Sequence, residues 1–316
     1  MGNIKKSMIS DKQFVFIIGA PRSGSTWLHH LLAAHSKVAA SNEELTIFNS
    51  YIIPWIRNFE KEEIASREGN SKQGLPHLWS REKLDEQINN FLENIYSTFA
   101  ITSQHEIILD KQPNYSFYVD VIHYYFPEAK FIHIIRDGRD AAYSWNRVWY
   151  KAGFGNPSFY GACTDWLKYK NAAHKAKELY PENYLEVRYE NLLKNTSEEL
   201  MRILDFCGVK AFPEEIKNIV DANTDEKKLV HFPDEKISYQ DRMTKKDLWK
   251  IKLSKEEQYL AKKIMGDELI KEKYERDRQW GAPRITTFLF FIKWKIKSVS
   301  MRIENAGKVL FFNQKS

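Results

Sequence analysis

Disulfides and metal-ligand clusters are the first features that this sequence lacks. Its 316 residues include only two cysteines, Cys163 and Cys207, which are too few for a disulfide framework and do not have the spacing of metal ligands. Both are therefore predicted to be core thiols in a reducing compartment. None of the nine histidines has supporting ligands nearby in the sequence, so no metal site is predicted.

Long apolar runs are also missing. Residues 1–12 contain no apolar stretch, so the sequence predicts a flexible N-terminal lead rather than a secretory signal. The apolar run at 288–292 is followed by three lysines and is too short to span a bilayer. We therefore predict a cytoplasmic protein. Peripheral membrane contact through the basic and apolar tail at 281–316 stays an open alternative.

Charge of one sign is not concentrated anywhere in the chain. The net charge is +6, and the 48 basic residues are interspersed with 42 acidic ones. This pattern favours a small anionic ligand and argues against a nucleic-acid partner. The hydrophobic content of 43% is enough to bury a core.

Short apolar segments alternate with helical patterns along the chain. Strands are predicted at 14–18, 107–109, 130–135 and 184–189, and helices near 82–100, 115–125, 160–180, 191–206, 213–221 and 254–272. This alternation predicts an α/β, three-layer fold with a mostly parallel central sheet flanked by helices. Residues 13–280 are expected to form one domain, in which 44–80 is a lid or substrate-facing insertion.

The turn after the first predicted strand has the spacing of a phosphate-binding loop but lacks its lysine. Gly19, Gly24 and Thr26 match the Walker A pattern, which makes the predicted fold P-loop-like, whereas Ser25 stands where the lysine belongs. The lysine normally supplies the main charge for phosphoryl transfer. Here Arg22 supplies positive charge from inside the loop, and its planar fork can hold an anionic group through two hydrogen bonds.

A second motif follows the third predicted strand, in the segment 136–144 (RDGRDAAYS). Taken alone, this segment could be the charged start of a helix. Together with 21–28 (PRSGSTWL), it resembles the donor-binding signatures of the sulfotransferase superfamily that uses 3'-phosphoadenosine 5'-phosphosulfate (PAPS). The resemblance extends over roughly residues 14 to 275, although only these two signatures are specific.

The resemblance implies a donor site and a reaction. The 3'-phosphate of PAPS would be bound by Arg136 and Ser144, which have the family's spacing, and the rest of the donor by the loop residues Arg22, Ser23, Gly24, Ser25, Thr26 and Trp27. No metal is implied. The implied reaction is in-line displacement of a sulfuryl group onto an acceptor hydroxyl, with release of adenosine 3',5'-bisphosphate.

The resemblance also narrows the choice of catalytic residues. One branch of the family uses a histidine two residues after a strand-end lysine, but Pro113 occupies that position here. The chain is closer to the glycan and tyrosyl-protein branch, whose base is a glutamate about twenty residues after the loop. This correspondence implies Glu43 as the base, with Glu44 as the alternative, and Lys111 as the contact to the bridging oxygen. Arg22 is the third expected catalytic residue, because it would neutralise the charge on the leaving group together with Lys111. The expected acceptor is a glycan, a glycolipid or another hydroxyl compound.

Two other functions remain open at this point. Residues 107–110 could be the metal-binding strand of a P-loop kinase or nucleotidase, although the missing lysine counts against that interpretation. The chain could also be a non-catalytic, basic membrane-surface module that binds through its tail.

Overall fold

The computed structural model describes residues 9, 11–41, 44–69, 74–99, 102, 104–224, 247–277 and 279–280. Most of the expected N-terminal lead, the whole tail at 281–316 and the proposed base Glu43 lie outside these residues. In the part of the chain that is described, no helix is both long and apolar enough to cross a bilayer. Both cysteines are free and buried, which agrees with the predicted core thiols.

Five parallel strands form the central sheet of the described residues. They are β1 (Gln13–Ile18), β2 (Val38–Ala40), β3 (Ile107–Lys111), β4 (Lys130–Ile135) and β5 (Tyr184–Arg188). Their order across the sheet is β2-β3-β1-β4-β5, and every pair is parallel. Because β1 is paired in parallel with both β3 and β4, the segments that follow the carboxyl ends of these three strands lie next to one another. Ligands of open α/β sheets bind outside these carboxyl ends.

Alternate residues of β1 pack into separate cores on the two faces of the sheet. Phe14 and Phe16 belong to one apolar cluster, whereas Val15 and Ile17 belong to another. A strand covered on both faces is expected to be apolar at nearly every position, as β1 is. The fold therefore has the three layers predicted from the sequence.

Helices cover both faces. They are α1 (Ser25–Ala33), α2 (Ile53–Arg67), α3 (Arg81–Ser97), α4 (Val119–Tyr125), α5 (Gly138–Ala152), α6 (Phe159–Leu179), α7 (Tyr189–Lys194), α8 (Thr196–Phe206), α9 (Pro213–Thr224), α10 (Leu248–Lys252) and α11 (Lys255–Lys271). A π-helical turn at Phe48–Ile52 precedes α2, and short 3-10 turns occur at Leu75–His77, Pro113–Phe117 and Pro181–Asn183.

Two elements differ from the sequence-based prediction, and a helix lies in the stretch 44–80, for which no secondary structure was predicted. β2 was not among the four predicted strands, because its three residues are too few to show a pattern. The single helix predicted at 191–206 is two helices, α7 and α8, separated at Asn195, whose φ of −131° and ψ of 53° are not helical. Within the stretch 44–80, α2 buries Ile53, Ile56 and Phe59 at helical spacing.

Candidate active site

The turn between β1 and α1 is built on backbone conformations that few residues adopt. Gly19 has a φ of 132° and Gly24 a φ of 98°, and the non-glycine Arg22 lies between them with a φ of 67°. A Cβ on Gly19 would lie 2.4 Å from the carbonyl oxygen of Ile134, and one on Gly24 would lie 2.4 Å from the ring of Tyr189. Both glycines are therefore needed for the loop to approach β4 and α7 this closely.

The start of α1 offers groups that an anion can satisfy. The helix begins at Ser25 with no side-chain cap and no acidic residue in its first turn, so its first N–H groups and the positive end of its dipole have no local anion. The hydroxyl of Ser23 is fully buried and has no hydrogen-bond partner among the described residues. Since buried hydroxyls normally have a partner, this loop fits a ligand that brings oxygen atoms.

The two sequence signatures meet at Arg22. Its Nε donates to Ser144 Oγ at 3.0 Å, and Nη1 of Arg136 donates to the backbone carbonyl oxygen of Arg22 at 3.2 Å. The guanidinium of Arg136 also lies 4.6 Å from the ring centroid of Tyr189, and the residue is only 6% exposed. The fold thus brings Arg22 into contact with two polar residues that are more than a hundred positions away in the chain.

Asp140 introduces a negative charge next to this group. Its Oδ2 lies 3.8 Å from Nη2 of Arg136, and its Oδ1 accepts the backbone N–H of Trp249 at 2.8 Å. Burial raises the pKa of Asp140 to about 7, while the neighbouring charge of Arg136 acts in the opposite direction.

The second arginine of the segment 136–144 has a structural role. Arg139 is 1% exposed, donates to Asp137 Oδ2 at 2.6 Å and forms an ion pair with Glu275. Its guanidinium lies 3.7 Å from the ring centroid of Trp249 and 4.6 Å from that of Trp280. Through these contacts, Arg139 connects the start of α5 with α10 and with the residues that follow α11.

Lys111, at the end of β3, reaches the loop from the other side. Its Nζ donates to Thr26 Oγ1 at 3.3 Å and forms an ion pair with Glu44. The second carboxylate oxygen of Glu44 accepts a 3.0 Å hydrogen bond from Gln112 Nε2. Glu44, the alternative base of the sequence analysis, is thus in direct contact with Lys111. Sequence reasoning gave Gln112 no role.

Asp110 does not have the surroundings of a metal-binding carboxylate. Its Oδ2 accepts from the hydroxyls of Tyr96 and Tyr115 at 2.9 and 3.0 Å, and its Oδ1 accepts the backbone N–H of Lys111 at 2.7 Å. The residue is 3% exposed, and burial raises its pKa. Both of its oxygens already accept hydrogen bonds from buried groups of the protein, which argues against the kinase interpretation.

Two aromatic side chains of α1 are interior residues. Trp27 is 5% exposed and packs edge-on against Tyr189, so most of its ring lies in the core. His29 is also buried, and its pKa is lowered to about 3, first by burial and then by the charge of Lys111. Sequence reasoning assigned His29 no chemistry, and the lowered pKa favours its neutral form near Lys111.

A group of side chains that could hold a metal lies elsewhere, where β4, β5 and α6 pack together. The ligand atoms of His133, His174 and Glu186 lie within 4.8 Å of one another. Sequence reasoning missed this group because its members are far apart in the chain. However, the carboxylate of Glu186 also lies 3.5 Å from Arg188, and Nδ1 of His133 is 2.6 Å from the hydroxyl of Tyr184. These contacts make the group part of a partly buried polar network.

Comparison with known proteins places these residues in a family. Residues 14–214 match the model of a sulfotransferase family. Protein-tyrosine sulfotransferase 1 of Danio rerio is 27% identical over 201 residues, which cover 63% of this chain and 54% of that protein. Nodulation protein NoeE of Sinorhizobium fredii is 23% identical over 290 residues, which cover 84% and 66% of the two chains. Among the first curated relatives, the matched part covers between 25% and 66% of their length.

A solved structure supports the fold independently. Mouse sulfotransferase SULT7A1, crystallised with PAP, superposes with a TM-score of 0.50 and 14% identity over 84% of this chain and 92% of that one. At this identity the likeness concerns the fold alone. Together with the family model, which covers more than half of the chain, it leads to one conclusion. The chain belongs to the sulfotransferase family.

Proposed function

We propose that this protein transfers a sulfuryl group from PAPS to an acceptor hydroxyl by in-line displacement and releases adenosine 3',5'-bisphosphate. The proposal rests above all on the contact of Arg22 with Ser144 and Arg136, because it joins the two donor signatures in one place. The partly unsatisfied loop around Ser23 and the uncapped start of α1 suit the phosphosulfate end of such a donor.

The two signatures together suit a ligand that carries two anionic groups. Arg136 and Ser144 would hold the 3'-phosphate, while the backbone of the loop and Arg22 would hold the 5'-phosphosulfate. A buried arginine is suited to this task because its planar fork can bind two phosphate oxygens at once. Arg136 is positioned for it by the ring of Tyr189 and the carbonyl oxygen of Arg22.

Lys111 has the hydrogen-bonding capacity that the leaving group needs. An ammonium carries three N–H donors, and Thr26 and Glu44 account for two of them. The third can donate to the bridging oxygen between sulfur and phosphorus, where negative charge develops as the bond to sulfur breaks. A preorganised donor of this kind typically contributes about 3 kcal/mol to transition-state stabilisation.

A glutamate would accept the proton of the acceptor. As the acceptor oxygen bonds to sulfur, its proton passes to the carboxylate and the electron pair of the broken sulfur–oxygen bond stays on the leaving phosphate oxygen. Glu43 is the proposed base, because its distance from Arg22 along the chain matches the family pattern. Glu44 would then hold Lys111 in place.

The acceptor is proposed to be a glycan, a glycolipid or another hydroxyl compound. Near Glu44, Tyr169 donates to Asn114 Oδ1, and the ring of Phe117 lies 4.7 Å from that of Tyr169. Phe117 is 44% exposed, so part of an apolar side chain is open to solvent near the amide of Asn114. Aromatic faces with adjacent amides suit a hydroxyl-bearing ring. Assays with saccharides, glycolipids and tyrosyl peptides as acceptors, using labelled PAPS, would identify the class.

Ligand-induced thermal stabilisation tests the donor. Adenosine 3',5'-bisphosphate without magnesium should raise the melting temperature, since a ligand at 100 times its Kd stabilises the folded state by about 2.7 kcal/mol. ATP with magnesium should have little effect. Stabilisation by ATP and magnesium, with none by the bisphosphate, would favour the kinase alternative and contradict the proposal.

Two isosteric variants test the base. Glu43→Gln should lower kcat by about a hundredfold or more, because a general base typically contributes at least that factor, and should leave donor affinity unchanged. Glu44→Gln replaces two acceptor oxygens by one and removes the negative charge next to Lys111, so it tests the alternative base. If Glu43→Gln kept full activity while Glu44→Gln lost it, Glu44 would be the base instead.

A further inference from the structure

We propose that Tyr115 is a positioning residue that fixes the glutamate segment relative to Lys111. The inference rests on the proposed function, in which the segment 43–44 supplies the base. Its basis is a set of buried hydrogen bonds that joins the end of β3 to the chain just after Glu44.

One hydroxyl connects the two parts of the site. The hydroxyl of Tyr115 donates to Asp110 Oδ2 at 3.0 Å and accepts the backbone N–H of Ile47 at 3.0 Å. Both partners are buried, with exposures of 3% for Asp110 and 2% for Ile47, and Tyr115 itself is fully buried. A hydroxyl has a single proton, so these two bonds fix its orientation.

The same carboxylate also holds Lys111. Its Oδ1 accepts the backbone N–H of Lys111 at 2.7 Å, while its Oδ2 accepts the hydroxyl of Tyr115. Asp110 therefore contacts the backbone of Lys111 directly and, through Tyr115, the backbone just after Glu44. A change at this carboxylate or at the phenol would alter the distance between lysine and glutamate.

The backbone after Glu44 needs such an anchor. Thr46 has a φ of 50°, which is unfavourable for a β-branched residue. A strained residue persists only where its surroundings hold it. The bond from Ile47 to Tyr115 lies directly after it, and the ring of Phe48, 5.3 Å from that of Tyr115, packs edge-on against the same side chain.

The chain provides a matched control in Tyr96. This residue of α3 is also fully buried and donates to the same Oδ2 of Asp110, at 2.9 Å. No hydrogen bond of its hydroxyl to the segment 44–48 is present among the described residues. Tyr96→Phe and Tyr115→Phe each remove one hydroxyl from the same carboxylate, but only Tyr115→Phe also removes the acceptor of the Ile47 N–H.

The two variants should therefore differ in activity but not in folding. Tyr115→Phe should lower kcat about tenfold to a hundredfold, which corresponds to about 1.4 to 2.7 kcal/mol, and should leave donor affinity within about twofold. Tyr96→Phe should keep kcat within about twofold. Both variants should remain folded, and the decrease in melting temperature should be larger for Tyr115→Phe, because it also leaves the buried N–H of Ile47 without an acceptor. Equal kcat for the two variants, or full activity of Tyr115→Phe, would overturn the inference.

Hydrogen exchange tests the hydrogen bond from Ile47 to Tyr115, which we call the clamp, in an experiment that needs no acceptor substrate. The amide of Ile47 should exchange at least about tenfold faster in Tyr115→Phe than in the wild type, and at the wild-type rate in Tyr96→Phe. Unchanged exchange in Tyr115→Phe would refute the clamp even if transfer were confirmed. Conversely, faster exchange in Tyr115→Phe, alongside a wild type that transfers no sulfuryl group, would support the clamp and refute the proposed function.

Discussion

Substitution of Arg136 by alanine separates recognition of the 3'-phosphate from all other donor contacts. The side chain is only 6% exposed, so a phosphate bound there exchanges hydrogen bonds in a poorly solvated place. Hydrogen bonds to charged groups contribute roughly 1.5–3 kcal/mol each. Loss of the contact should therefore cost about 3 kcal/mol, which is roughly a hundredfold in Kd.

Calorimetry with two ligands measures this effect. Wild type should bind adenosine 3',5'-bisphosphate much more tightly than adenosine 5'-monophosphate, and Arg136→Ala should lose most of that preference. Loss of packing on Tyr189 would weaken the binding of both ligands alike. It therefore cancels in the ratio of the two Kd values measured on the same variant. Arg147→Ala is the control, since it removes an exposed positive charge from α5, the helix that follows Arg136. A preference for the bisphosphate that survives in Arg136→Ala would refute the assigned role.

Three further predictions concern Asp140, Gly24 and the C-terminal tail. Burial raises the pKa of Asp140 from 3.8 to about 7, so the stability that its protonated form contributes is full below about pH 4 and is lost as the pH rises to about 7. Asp140→Asn should flatten this dependence in urea unfolding between pH 5 and 8, and a wild-type slope in the variant would contradict it. Gly24→Ala should weaken bisphosphate binding about tenfold or more and lower the melting temperature. The added Cβ would clash with the ring of Tyr189, and the φ of 98° is unfavourable for alanine. The alternative of membrane contact through the tail predicts that deletion of residues 284–316 abolishes binding to anionic vesicles in co-sedimentation and leaves bisphosphate affinity unchanged; equal vesicle binding by both forms would exclude the tail as the membrane contact.

The parts of the fold that could be predicted are those that local patterns determine. The strands β1 and β4 are apolar at nearly every position because both faces of the sheet are covered, and each ends at a polar turn. Because the two strands are parallel neighbours, their carboxyl ends lie side by side. The proximity of Arg22 and Arg136 therefore follows from the two strand patterns and the parallel pairing that they imply.

Contacts between distant side chains could not be predicted in this way. The contact between Gln112 and Glu44 joins residues 68 positions apart, and no periodicity in the sequence indicates it. The same holds for the bond from Ile47 to Tyr115, which depends on how the segment after β2 returns to the sheet. β2 itself was missed as a strand because three residues are stabilised by pairing with β3 rather than by any pattern of their own.

The most informative departure from a nucleotide triphosphatase site concerns two side chains that would bind magnesium there. In a Walker loop, the threonine hydroxyl and a strand-end aspartate hold the metal. Here Thr26 Oγ1 accepts from Lys111, and Asp110 accepts from two tyrosines and the backbone of Lys111. The end of β3, which would provide a metal-binding carboxylate in a nucleotide triphosphatase, thus provides the ammonium group of Lys111, which contacts the loop at Thr26. Under the proposed function, Lys111 would supply the positive charge for the leaving group, so bisphosphate affinity should be the same with magnesium and with a chelator.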